Sequence, residues 1–215
     1  MMKKRLQIAL FDNRILKSIY EVNNGDECNC FCPKCGGELS AKNNNKSENK
    51  PLEPNQKIAH FAHLNGSDCP GSYESSIHKL AKTVIEKSKK LLLPPIYKNS
   101  VQLTKKQMVY FEKVETEMNI KTEFYKIIPD AILYLGEKKL LVEFYKTHLV
   151  DKSKTKKIKE LNENCIEINL NDINPIDCGK VNFKGMSEFL ENNISSKEWI
   201  HNKKTEKLYE KHLST

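Results

Sequence analysis

The stretch "KTEFYKIIPDAILYLGEKKLLVEFYKTH", residues 121–148, most constrains what this chain can fold into. It reads as a strand, a Pro-Asp step, a second strand, a turn centred on Gly136 and a third strand. Asp130 opens one strand and Glu143 lies in the next, so a hairpin brings the two carboxylates to one edge. Side chains alternate along a strand, which puts Glu143 on the face shared by Tyr145 and Thr147. Phe144 and Lys146 face the other way. Lys146 reaches the Glu143 side only if a bulge turns it round.

The rest of the chain predicts an α/β fold in two parts. At 215 residues it is long enough for one substantial core and a small accessory module. In residues 1–72, "RLQIALF" and "ILKSIYEV" read as two strands joined at "DNR". A Cys-rich block and the polar loop "AKNNNKSENKPLEPNQ" follow, and "IAHFAHLNGSDCPGS" closes the module. In residues 73–215, Ile77, Leu80, Ala81, Val84 and Ile85 recur at helical spacing in "YESSIHKLAKTVIEKSKKLL", with "LPPIYKN" as the stop. "VQLTKKQMVYFEKVETEMNI" supplies one strand. "VDKSKTKKIKELNEN" is a basic helix, "CIEINL" a short buried strand, and the C-terminal segment from Met186 an interrupted helical stretch.

A formal charge of +8 favours an anionic partner, of which nucleic acid is the commonest. Lysine spread by compositional bias accounts for the same charge, since no single basic arm stands out. No run approaches the roughly 18 apolar residues that span a bilayer, and "MMKKRLQIALFDNR" has no apolar core long enough for a signal peptide. A cytoplasmic location is the expectation, and with it reduced thiols in place of a disulfide framework.

Seven cysteines in that setting point to a metal. In "CNCFCPKCGG", Cys32 and Cys35 bracket a Cys-x-x-Cys turn that aims two thiolates at one point, with Gly36 and Gly37 letting the backbone fold beneath. The remaining ligands come from "HFAHLNGSDC". The favoured set is Cys32, Cys35, His63 and Cys69, with His60 as the substitute for either of the last two and Cys28 and Cys30 as competitors. If residues 57–63 are extended, His60 and His63 point to opposite faces and only one binds. Four strong ligands leave no place for water, so the expected zinc is structural.

The acids suggest a different metal. Hydrolysing a phosphodiester needs cations that stabilise charge on the phosphate and make hydroxide available from water. Magnesium takes one or two carboxylates and completes its shell with water and phosphate oxygen. Asp130 and Glu143 fit that need. Glu74, His78 and Lys82 follow one another at i+4 steps on one helical face. If that face packs beside the hairpin, Glu74 adds a third carboxylate and Lys82 a cation in place of the displaced Lys146. His148, Asp151 and Lys154 lie just past the strand.

Taken together, "FCPKCGGEL", "HFAH", "YESSIHKLAK", "IIPDAIL", "LVEFYKTHLVDKSKTKKI", "CIEINL" and "KEWIHN" resemble the competence protein CoiA-like family, in family order from residue 6 to about 203. The resemblance implies a zinc module joined to a restriction-endonuclease-like, PD-(D/E)xK domain. It implies that Asp130 and Glu143 bind Mg²⁺ or Mn²⁺ with help from the Phe144 carbonyl, that Glu74 is the helical acid, and that His78 and Lys82 complete the helix-borne part. Thr147, His148, Asp151 and Lys154 would border the site, with Thr147, His148 and Lys154 contacting substrate. Tyr145 stands where the superfamily usually has Lys, with Lys146 one place late, and this bears on how the attacking water is activated. The expected function is a nuclease acting on DNA, with RNA the alternative. It would serve DNA processing or defence against foreign DNA beside a protein partner that supplies targeting. The rival expectations are a catalytically silent nucleic-acid-binding module of the same fold and a zinc-stabilised subunit that binds protein.

Overall fold

The computed structural model of the chain describes residues 5–44, 57–123, 125–146 and 151–214. It shows a mixed α/β protein with several sheets. Two compact units form, one from Met1–Leu80 with Asn174–Met186 and the other from Ala81–Ile173 with Ser187–Thr215. The chain therefore leaves each unit and returns to it. Among the described residues no helix is long and apolar enough to cross a membrane.

In the first unit, β1 (Ile8–Phe11) and β2 (Ile15–Ser18) form a hairpin with Ile8 opposite Ser18. Its turn places Asp12 and Asn13 at φ of 50° and 54°, the left-handed region that Asp and Asn enter at less cost than other side chains. β3 (Gly25–Phe31), β4 (Glu38–Lys42) and β5 (His60–His63) complete a five-stranded antiparallel sheet in the order β2-β1-β3-β4-β5. The Cys-rich block is thus largely strand. Cys28, Cys30 and Cys32 alternate inward and join Ala9, Ile19, Leu39, Ala41 and Phe61 in the core, where Cys28 and Cys30 behave as small apolar side chains. Most of the polar loop after β4 lies outside the described residues.

The helix α1 (Ser72–Ser88) buries Ile77, Leu80, Ala81, Val84 and Ile85 at the spacing read from the sequence. It ends earlier than "LPPIYKN" suggests. Lys89 turns left-handed at φ 51°, and the apolar "KLLL" leaves the helix as β6 (Lys90–Leu93). There it pairs with β7 (Gln107–Tyr110) and buries Leu91 fully.

The principal sheet of the second unit uses β8 (Lys113–Thr116), β9 (Ala131–Leu135) and β10 (Lys138–Tyr145). After α2 (Lys152–Glu160) comes β11 (Asn164–Asn169), and after α3 (Phe183–Asn192) comes β12 (Lys197–His201), then α4 (Thr205–Leu213). The order is β8-β9-β10-β11-β12, with β10 and β11 parallel and every other pair antiparallel. Two segments differ from the sequence reading. The mixed stretch before residue 120 supplies β7, β8 and a two-residue strand at Val101–Gln102 where one strand was expected. The C-terminal segment is not purely helical, because "KEWIH" pairs along the sheet edge as β12. Its polar and apolar residues mimic a helix break, and only the neighbouring β11 makes it a strand.

The β9–β10 hairpin carries the constraint identified first. Leu135 pairs with Lys138 across Gly136 and Glu137, and Gly136 sits at φ 56°, a conformation that two-residue hairpins demand and glycine meets without a Cβ clash. Leu140, Leu141, Val142, Glu143 and Phe144 are all buried, as befits a central strand covered on both faces.

Candidate metal centre and acid–lysine site

In the first unit, one ligand atom each of Cys32, Cys35, His63 and Cys69 lie within 4.8 Å of one another. The turn after β3 builds half of this cluster. Cys32 N–H donates to the Gly37 carbonyl at 2.8 Å, Gly36 N–H donates to the Cys32 carbonyl at 2.9 Å, and Gly36 takes φ 73°. Gly37 is needed for another reason. A Cβ there would lie 3.2 Å from the His63 ring and 3.4 Å from the Cys35 sulfur. β5 delivers His63, whose Nε2 is 3.2 Å from Cys35 Sγ. The backbone N–H of Gly37, and then the His63 ring, lower the Cys35 thiol to about 7. Burial raises Cys69 to about 11.

Three thiols and one imidazole at these separations fit a closed tetrahedral zinc site, so this Cys₃His cluster could hold a structural zinc. His60 is not in the group. It lies on the opposite side of β5, with its Nδ1 2.8 Å from the Ile58 carbonyl and its Nε2 3.2 Å from Arg5. Cys28 and Cys30 do not join either. Their sulfurs donate to the carbonyls of Leu39 and Cys28 inside the core, and burial raises the Cys30 thiol far above its ordinary range.

The second unit contains the acid–lysine site. Asp130 precedes β9. Its Oδ2 accepts the Phe144 amide at 2.9 Å, which clamps the Pro-Asp step against β10. Its Oδ1 lies 2.7 Å from the Lys82 ammonium, which also reaches Glu117 at 3.4 Å. Glu143, in β10, is 2 % exposed. Lys154 donates to Glu143 Oε2 at 2.7 Å and to the Ile128 carbonyl at 3.0 Å. Asp151 positions that lysine: it caps α2 by accepting the Lys154 backbone N–H at 2.8 Å.

Burial is the main reason that Glu143 is raised to about 7, with Asp130 adding to the rise and Lys154 and Lys82 opposing it. Its other oxygen, Oε1, is buried without a hydrogen-bond partner among the described residues. A buried carboxylate oxygen without a donor is costly. Such an orphan acceptor, beside a second carboxylate, is a fit for a hard cation that needs few protein ligands.

The other expected residues fall as follows. Lys146 is buried, and its ammonium donates to the carbonyls of Leu170, Asn171 and Ile173 at 2.7, 3.1 and 3.2 Å. Tyr145 ends β10, and its phenol is raised by burial and then by Glu167 and Glu198. Glu74 and His78 belong to the first-unit part of α1, where they pair at 3.7 Å. Thr147 and His148 lie outside the described residues. Sequence reasoning missed Glu167. The parallel register sets it beside Glu143 and opposite Glu198 in β12, and nothing in "CIEINL" alone announces which strand it will join. The chain matches no family model, no curated protein and no solved structure.

Proposed function

We propose that the second unit is a restriction-endonuclease-like, PD-(D/E)xK core of the CoiA-like kind, and that it hydrolyses DNA phosphodiester bonds with Mg²⁺ or Mn²⁺. One observation carries the reading. Asp130, held on the amide of Phe144, adds to the rise that burial gives Glu143, the residue before Phe144 on β10, and each acid is matched to a lysine from a different helix. A mixed sheet whose parallel β10–β11 pair is linked by α2 supports the fold assignment.

Asp130 and Glu143 would hold the cation, which when bound stabilises charge on the phosphate and makes hydroxide available from water. The chain's own residues do the rest. Phe144 N–H fixes the Asp130 carboxylate in place, and Asp151 fixes the first turn of α2 so that Lys154 stays at Glu143. Lys154 takes the role of the lysine that Tyr145 replaces: an ammonium held at Glu143 and 29 % exposed on its side chain, so that a phosphate oxygen or a water can reach it there. Lys82 does the same at Asp130. Lys146 is a structural cation in this scheme. The cell's use would be DNA processing or defence against foreign DNA, beside a partner that supplies targeting. The Cys₃His cluster would hold the first unit together with zinc.

Plasmid and single-stranded DNA incubated with Mg²⁺ and Mn²⁺ test the proposal, with wild type beside Asp130→Ala and Glu143→Ala. Cleavage by wild type and its loss in both variants is the expected result. DNA retention without cleavage in either metal supports the second reading, a silent nucleic-acid-binding module, which the Tyr145 position favours.

A further inference from the structure

The outer face of α2 has no part in the site just described, and it carries a stripe of lysines of which only Lys159, in the last turn, is favoured by the helix dipole. Lys152, Lys156 and Lys159 share that face with Thr155. Only Ile158 of this helix is buried, and it lies on the opposite side together with Lys154, which is turned to Glu143. Lys152 and Lys156 stand at i,i+4 and Lys156 and Lys159 at i,i+3, so like charges repel along the stripe. The first turn carries no acid inside the helix, so Lys152 and Lys154 also oppose the helix dipole, relieved only by the cap at Asp151. Among the described residues, the acid paired with this face is Glu160, 3.8 Å from a Lys156 that is 79 % exposed. Lys152, Thr155, Lys156, Lys159 and Glu160 line one shallow depression. An exposed stripe of like charges has its repulsion relieved by a polyanion laid along it.

We propose that this face of α2 binds the DNA backbone outside the scissile position, with Lys152, Lys156 and Lys159 each contacting a phosphate. The inference rests on the proposed function for the identity of the polyanion. It adds a surface set apart from the acid–lysine site by the width of one helix, about 10 Å. Phosphates several steps from the reacting one would meet the outer lysines while Lys154 faces the site. Contacts of this kind carry no base information, so the surface sets affinity and register but not sequence preference.

The test measures binding of a fluorescein-labelled 20-base-pair duplex by anisotropy, without divalent metal, between 50 and 200 mM salt. The triple variant Lys152→Gln/Lys156→Gln/Lys159→Gln keeps helix-forming side chains and loses only charge. Lys207→Gln/Lys211→Gln on α4 is the control. The expected result is at least a tenfold loss of affinity in the triple variant, with the slope of log K against log salt reduced by about 2 to 3. The control should stay within about twofold, and Lys→Arg at the three α2 positions should restore binding. Equal loss in both variants, or no loss in the triple variant, overturns the inference. Plasmid cleavage by wild type reads the hydrolysis proposal separately. Cleavage with unaltered binding in the triple variant sinks the surface alone, and α2-dependent binding without cleavage sinks the nuclease alone.

Discussion

The Lys154 ammonium lies 2.7 Å from Oε2 of Glu143, although the two stand 11 residues apart on different elements. This pairing supplies a cation where β10 itself does not. Lys154→Met should lower kcat/KM for DNA cleavage by on the order of 10²-fold. It should also let Glu143 rise above about 7, because Lys154 is the largest influence pulling it down. The acidic limb of the pH–rate profile then moves to higher pH, and Lys154→Arg recovers part of both effects. A profile unchanged in Lys154→Met contradicts the assignment.

Glu143 also links the site to stability. Its folded-state value of about 7 lies above the ordinary 4.5, so between those values the folded state binds more protons than the unfolded one. Stability contributed by this group is therefore full below about 4.5 and is lost as pH rises toward 7. Glu143→Gln removes the buried charge. In metal-free buffer it should raise the unfolding free energy by about 1–3 kcal/mol at pH 8 and by close to nothing at pH 4.5. Urea titrations at the two pH values measure this. A variant less stable than wild type at pH 8 contradicts it.

Lys146 should behave in the opposite way to Lys154. With three backbone carbonyls on its ammonium, Lys146→Met leaves buried acceptors unsatisfied and should cost about 1–3 kcal/mol in urea unfolding. The folded fraction should keep its metal and DNA affinities. A loss of metal binding in protein that remains folded would return Lys146 to the site.

For the Cys₃His cluster, elemental analysis should find one zinc per chain, lost in His63→Ala and kept in His60→Ala. His63→Ala should also lower the midpoint of thermal unfolding, since zinc binding and folding free energy are linked in such sites. Zinc loss in His60→Ala with retention in His63→Ala reverses the ligand assignment.

The hairpin and its two acids were legible because alternation, the Pro-Asp step and Gly136 are local signals. The Cys₃His cluster was legible in part: Cys-x-x-Cys spacing fixed Cys32 and Cys35, and strand alternation allowed only one of His60 and His63, the structure bringing His63 to the cysteines. Lys154 was placed near the site but not at Glu143. Its position depends on the Asp151 cap and on the span of α2 between β10 and β11, neither of which has a short-range signature. Glu167 depends on a parallel register, and "KEWIH" on a neighbour distant in sequence. Lys82 and Lys146 were partly legible: helical spacing put Lys82 on the face of Glu74 and His78, and strand alternation turned Lys146 away from Glu143. Their actual partners, Asp130 for one and three backbone carbonyls for the other, come from the fold.

The most direct test of the central claim is Mn²⁺ binding followed by electron paramagnetic resonance on zinc-loaded protein. Asp130 and Glu143 together predict one Mn²⁺ per chain in wild type, with affinity at least tenfold weaker in Asp130→Asn and in Glu143→Gln and unchanged in Lys146→Met. Absence of Mn²⁺ binding in wild type, or equal binding in all four proteins, contradicts the account.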